Sequence, residues 1–294
     1  MATDFEKIAT KVSAVSIFGN LILSLFKLMA GVLANSGAMI SDAVHSASDV
    51  FSSIIVIIGV KISAKNSDKE HPYGHERMEC VAAIVLSVIL LITGIFIAEE
   101  TIGTIVKGRG GDIKVPGILA LIAAVVSIVS KEAMYWYTRH YAKAIDSGAL
   151  MADAWHHRSD ALSSVGALIG IGGARLGLPV LEPVASLVIC LFIFKAAYDI
   201  FKDATDKMVD HSCDDETEER LRRCAAEQAG VAGVDMLHTR IFGNKIYVDI
   251  EIRADGEMKL REAHNIAENV HSEIERNFPK VKHIMVHVNP CEKE

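Results

Sequence analysis

The chain alternates between long apolar runs and short polar breaks for its first two thirds. The runs lie at about 12–32, 37–62, 80–106, 115–137, 147–176 and 180–200. Each is long enough to cross about 30 Å of hydrocarbon at about 1.5 Å per residue. Between them stand turn-forming segments: Asn35-Ser36-Gly37, a polar loop from Ser63 to Glu76, a glycine-rich turn after Lys107, and Gly177-Leu178-Pro179. Tyr135-Trp136-Tyr137 closes the fourth run as an interfacial aromatic belt would. This pattern predicts an all-α transmembrane domain of six helices over residues 1–206, with both termini on one side. Lys7, Lys11, Lys61, Lys65, Lys69, Arg77, Lys131, Arg139, Lys143, Lys202 and Lys207 fall on that side, and Lys107, Arg109, Lys114 and Arg175 on the other. The excess of positive charge places both termini in the cytoplasm, with the chain a multi-pass protein of the cell's inner (plasma) membrane.

Beyond residue 207 the period of the pattern changes. Asp214 to Gln228 reads as a charged helix whose first turn is acidic, which suits the helix dipole. Val234–Phe242 and Lys245–Arg253 read as strands around the two-residue turn Gly243-Asn244. In the second of these, Ile246, Val248, Ile250 and Ile252 alternate with Tyr247, Asp249, Glu251 and Arg253. Leu260, Ala263, Ala267, Val270 and Ile274 recur at helical spacing, and Ile284, Val286 and Val288 alternate again as a strand. The order α-β-β-α-β over 207–294 predicts a small cytoplasmic α+β domain of ferredoxin-like type. Helices cover one face of its sheet, and the other face is polar and carries histidines.

Composition fits this division. The 294 residues are 51% hydrophobic, with 13 basic against 18 acidic residues from Lys207 onward and 17 against 19 before it. A mean hydropathy of +0.31 is too apolar for an ordinary soluble protein of this length. The net charge of −7 argues against nucleic acid as a partner. Cys80, Cys190, Cys213, Cys224 and Cys291 form no C-x-x-C pair, so no disulfide framework is expected. Met1 to Lys7 holds acidic residues and no cleavage pattern, and does not read as a removed leader.

Chemistry is concentrated in a repeat. Asp42-Ala-Val-His45-Ser-Ala-Ser-Asp49 and Asp153-Ala-Trp-His156-His157-Arg158-Ser159-Asp160 share the spelling D-x-x-H-x-x-x-D, one in the second run and one in the fifth. Residues four apart on a helix share a face. An Asp at the centre of a span costs roughly 2.5–3.5 kcal/mol on insertion scales, so it faces a partner or a cavity. With six spans the second and fifth run antiparallel, which sets His45 level with Asp160 and Asp49 level with His156. Two carboxylates and two imidazoles suit a tetrahedral Zn²⁺, Co²⁺ or Cd²⁺ better than Mg²⁺ or Ca²⁺. Asp42 and Asp153 are expected beside this site, and His157 and Arg158 are not assigned. The loop pattern Asp68-x-x-His71-x-x-x-His75 offers a second, smaller donor set.

The whole chain resembles the cation diffusion facilitator transporters, which exchange divalent transition-metal ions for protons. The resemblance rests on the six runs, the paired half-sites, the histidine-bearing loop and the acidic C-terminal part. It implies a transport site of His45, Asp49, His156 and Asp160, associated with zinc. Relatives with Asp or Asn at a histidine position often take manganese or iron. It further implies a loop site at Asp68, His71 and His75, and a salt bridge between Arg77 and Asp210 that couples the two domains. Asp235, Glu251, His264 and His287 match positions that bind regulatory metal between the subunits of a homodimer, although Asn289 stands where the family has an acid.

The expectation is therefore a transporter and not an enzyme. It exports a divalent metal, Zn²⁺ first and Mn²⁺, Fe²⁺, Co²⁺ or Cd²⁺ behind it, in exchange for protons across a lipid bilayer. Histidine must be neutral to bind metal, so one site can hold metal or protons in turn. The rival is a membrane-bound metal sensor. Substituting Asp49 and Asp160 separates the two, because a sensor keeps its flux.

Overall fold

Eleven elements order the described residues of the computed structural model, which are 4–33, 43, 46–47, 49–107, 118–175 and 181–291. The chain divides into two compact units, Met1–Thr205 and Asp206–Glu294. Among the described residues the first unit is helical: α1 (Asp4–Leu33), α2 (Val50–Ser63), α3 (Arg77–Lys107), α4 (Ile118–Ile145), α5 (Gly148–Arg175) and α6 (Leu181–Met208). The turns at Asn35-Ser36-Gly37, after Lys107 and at Gly177-Leu178-Pro179, together with Asp42 and His45, lie outside the described residues. Two helical stretches, Asp4–Ala30 and Arg77–Gly103, are long and apolar enough to cross a membrane, and Val50–Ser63 is a shorter apolar helix.

Polarity in this unit is inverted relative to a water-soluble bundle. Phe18, Leu25, Met29, Phe51, Phe96, Val129, Leu191 and Phe192 are exposed. Ser13, Ser16, Asn20, Lys27, Asp49, Ser52, Ser53, Lys131, Asp153, His156, His157 and Asp160 are buried. Water would reverse both sets, whereas a hydrocarbon solvent favours apolar side chains outside and polar ones against partners inside. The buried residues keep helical period: Ser127, Lys131, Tyr135, Thr138 and Ala142 form one face of α4. That face packs on α5 and α1; α2 packs on α1, α3 and α5, and α3 also on α5.

The helices run past the apolar runs that announce them. α4 continues to Ile145 and α6 to Met208, so Tyr135-Trp136-Tyr137 sits inside a helix and does not end one. The charge count on the cytoplasmic side needs one correction: Lys131 is only 2% exposed and belongs to the interior of the unit.

The second unit contains α7 (Asp215–Ala226), β1 (Gly233–Phe242), β2 (Lys245–Asp255), α8 (Leu260–Asn277) and β3 (Val281–Cys291). The sheet order is β1-β2-β3, with β1 antiparallel and β3 parallel to β2. Leu221 and Ala225 of α7, Ile266, Val270 and Ile274 of α8, and Val248, Ile250 and Ile252 of β2 share one core. Gly243, with φ 64°, makes the turn between β1 and β2, as a glycine without Cβ strain can. The opposite face is less polar than alternation suggests. Tyr247 is 3% exposed there, packed between Phe242 and His283 with ring centroids 4.9 and 5.6 Å away.

Candidate metal centre

Asp49 precedes the first residue of α2, and His156 and Asp160 stand one turn apart on α5. The packing of α2 on α5 brings all three into the interior. Their ligand atoms lie within 4.8 Å of one another. His156 Nε2 is 3.4 Å from Asp49 Oδ1. The fourth residue of the expected set, His45, lies outside the described residues. Oxygen and nitrogen donors so converged, on residues 2–8% exposed, can hold a divalent transition metal.

A cation of the chain itself joins them. Lys131 of α4 donates through Nζ to Asp160 Oδ2 over 2.8 Å and to Asp49 Oδ2. The residue pattern missed this, although it held a signal. Lys131 lies six residues before Tyr137, about 9 Å along a helix and too deep for an interfacial lysine. A second interior lysine, Lys27 of α1, donates to Ser46 Oγ over 2.8 Å.

Asp153 stands beside the set. Ser52 Oγ donates to its Oδ1 over 2.9 Å, Ser53 Oγ lies 3.2 Å from its Oδ2, and His157 Nε2 is 3.7 Å from the same oxygen. His157 is fully buried. Arg158 instead turns to the aromatic residues, its guanidinium carbon 4.3 Å from the centre of the Tyr135 ring.

The loop between α2 and α3 also brings its three residues together. His71 Nδ1 lies 3.3 Å from Asp68 Oδ1, and His75 Nε2 lies 3.4 Å from Asp68 Oδ2. The His71 and His75 rings are 4.5 Å apart. Asp68 builds the turn that does this, accepting the backbone N–H groups of His71 at 2.7 Å and Glu70 at 3.0 Å. The His71 amide holds the Asp68 carboxyl below the ordinary carboxylate range.

The four residues expected to bind metal in the second unit are not brought together within one chain. Arg253 Nε is 2.8 Å from Asp235 Oδ1, and Asn289 Nδ2 donates to Asp235 at 3.2 Å and Glu251 at 3.1 Å. These donors hold the two carboxylates beside each other through Asn289. Glu251 lies opposite His287 in the β2–β3 register, and His264 faces Glu268 at 3.8 Å on an exposed side of α8. Arg77 opens α3. Asp210, with φ 64°, follows α6 and lines a cleft of about 500 Å³ with His238, Arg240 and Asp249.

The chain matches two family models in succession. The cation efflux transmembrane domain covers residues 13–209, and the cytoplasmic domain of cation efflux proteins covers 213–291. It is 32% identical to the manganese efflux system protein MneP of Bacillus subtilis (strain 168), over 100% of both chains. It is 35% identical to metal tolerance protein C1 of Arabidopsis thaliana, over 96% of this chain and 62% of the relative. The solved structure MamM-CTD 215-293 is 26% identical, covers 26% of this chain and 96% of its own, and has a TM-score of 0.26. With both domains matched along most of its length, the chain belongs to the cation diffusion facilitator family of membrane metal-cation transporters.

Proposed function

We propose that the protein exports a divalent transition metal from the cytoplasm in exchange for protons, carrying the ion on Asp49, His156, Asp160 and His45. The observation that supports this reading most is the convergence of three buried ligand groups from α2 and α5 in a unit whose exterior is apolar. The six helices of the first unit then each span the bilayer, with both termini in the cytoplasm and the second unit as the dimerising, metal-sensing domain. Asp68, His71 and His75 collect metal from the cytoplasm. Asp235, Glu251, His264 and His287 sense metal at the boundary between two copies.

The donor groups themselves provide the exchange. Two carboxylates neutralise a dication, and the imidazoles complete its shell only when neutral. Protons arriving from outside compete for the same lone pairs and release the ion. On the donor set zinc comes first, because imidazole nitrogen favours Zn²⁺ over harder ions. Manganese is the second reading, favoured by the full-length likeness to a manganese efflux system protein.

The test is metal flux in vesicles holding the full chain, with Zn²⁺ or Mn²⁺ supplied singly. Flux should follow an imposed pH gradient and vanish in Asp49→Asn/Asp160→Asn. Flux indifferent to the gradient would overturn the exchange, and flux surviving the double substitution would overturn the site.

A further inference from the structure

Most buried features of the first unit serve the site or its packing. Lys131 does neither in any obvious way, since it sits in the site and carries the same sign of charge as the cargo. We infer that Lys131 is a tethered competitor for the metal: its ammonium neutralises Asp49 and Asp160 in the empty carrier and must leave them when the ion enters. The inference rests on the reading that Asp49, His156 and Asp160 hold the metal.

Geometry carries the argument. Nζ bonds to Oδ2 of Asp49 and to Oδ2 of Asp160 at once, so it lies between the two carboxylates that a metal must share. A metal would bind those oxygens at about 2.0–2.2 Å. Two cations cannot occupy that space together, and their repulsion is poorly screened at a depth where both carboxylates are buried. Removing one member of a buried ion set leaves its partners uncompensated, which is strongly unfavourable. Without Lys131, two buried carboxylates with no metal would face each other. With it, the ammonium offsets one of those two charges. The lysine stem is long and flexible, so the ammonium can withdraw without any movement of the α4 backbone. Lys131 therefore weakens metal binding and eases the return of the empty carrier.

The experiment uses the full chain in vesicles with Mn²⁺ alone and Zn²⁺ alone, in wild type, Lys131→Gln and Lys131→Arg. Two rates are read for each: exchange of labelled for unlabelled metal, which needs no empty carrier to cross, and net efflux, which does. Lys131→Gln should exchange metal at half-saturating concentrations at least about tenfold lower than wild type, a change of about 1.4 kcal/mol, while its net efflux falls far below its exchange. Lys131→Arg, with a fork that grips two carboxylates more firmly, should need more metal than wild type. If Lys131→Gln does not elute as a folded protein, Lys131→Met replaces it and the arginine arm is read unchanged. The inference fails if the neutral variant binds no more tightly, if the arginine variant binds as wild type does, or if exchange and net efflux fall together. Asp49→Asn/Asp160→Asn distinguishes the two failures. Exchange surviving in that variant sinks the site itself, whereas its loss beside unaltered Lys131 variants sinks only the competitor.

Discussion

Ser52 Oγ donates to Asp153 Oδ1 across 2.9 Å, and the same hydroxyl lies 2.8 Å from the backbone carbonyl of Asp49. One serine thus ties α5 to the turn that presents Asp49 to the candidate metal centre. Ser53 adds contacts at 3.2 and 3.3 Å, and His157 Nε2 lies 3.7 Å from Asp153 Oδ2. Asp153 is a brace whose acceptors satisfy buried hydroxyls. Asp153→Ala should take from Ser53 the acceptor of its buried hydroxyl while Ser52 keeps the Asp49 carbonyl, cost about 1–3 kcal/mol of stability, and lower the thermal midpoint in detergent. Asp153→Asn, which keeps one acceptor oxygen, should lose less. An alanine variant with an unchanged midpoint and no metal exchange would make Asp153 a ligand.

The spelling D-x-x-H-x-x-x-D led to the expectation that Asp153 stands beside the site, but residues three and four apart both share a helix face, so spacing alone does not part brace from ligand; the hydroxyls of Ser52 and Ser53 mark Asp153 as the brace. The strands and helices of the second unit were legible, since alternation and helical period reflect one buried face each. Lys131 and Lys27 were not. Lys27 is the single charged residue of its apolar run and Lys131 stands beside Glu132 in its own, and period says which face each occupies but not whether a partner waits there. Tyr247 was misread because strict alternation placed it among polar neighbours, while Phe242 and His283 cover it from adjacent positions. The pairing of Asp235 with Arg253, and of Asn289 with both carboxylates, depends on strand register that the chain's pattern leaves open.

The Asp68 loop makes a separable prediction. Its carboxylate accepts the amides of Glu70 and His71, and in the proposed collecting role it would also offer charge to a metal between His71 and His75. Asn can perform the first and not the second. Asp68→Asn should keep the His71 amide protected from hydrogen exchange and raise the metal concentration needed for half-maximal flux, with the maximal rate retained. Asp68→Ala should lose the protection as well. Equal half-saturation in Asp68→Asn and wild type would leave the loop with a purely structural role.

At the start of α7, Asp214 accepts the Thr217 amide at 2.8 Å and the Thr217 hydroxyl at 3.0 Å. The amide bond holds its carboxyl below the ordinary value of 3.8. A carboxyl lowered in the folded state stabilises it fully above the unfolded value, and that contribution is lost as pH falls through the lowered folded value. Exchange of the Thr217 and Glu218 amides should therefore accelerate on acidification below pH 3.8, beyond the trend of amides elsewhere in α7. Asp214→Ala should show fast exchange at every pH, with no step in that window. A step persisting in the alanine variant would assign it to another acid.

At Gly59, α2 and α3 approach too closely for a side chain: a Cβ built on it would lie 2.4 Å from the Cβ of Ala82. No rotamer relieves such a clash, because neither methyl has one, so the helices themselves must separate. Gly59→Ala should cost about 1–3 kcal/mol through overpacking, measured as a fall in the thermal midpoint. Gly59 lies ten residues beyond Asp49, which leads into α2, about 15 Å along the helix, so a shift of α2 also displaces the Asp49 carboxylate of the candidate metal centre. Metal flux should then fall with stability. Ala82→Gly removes the opposing methyl, and Gly59→Ala/Ala82→Gly should recover most of the midpoint and of the flux. Recovery of the midpoint without the flux would show that α2 is set for transport by something other than its seat on α3.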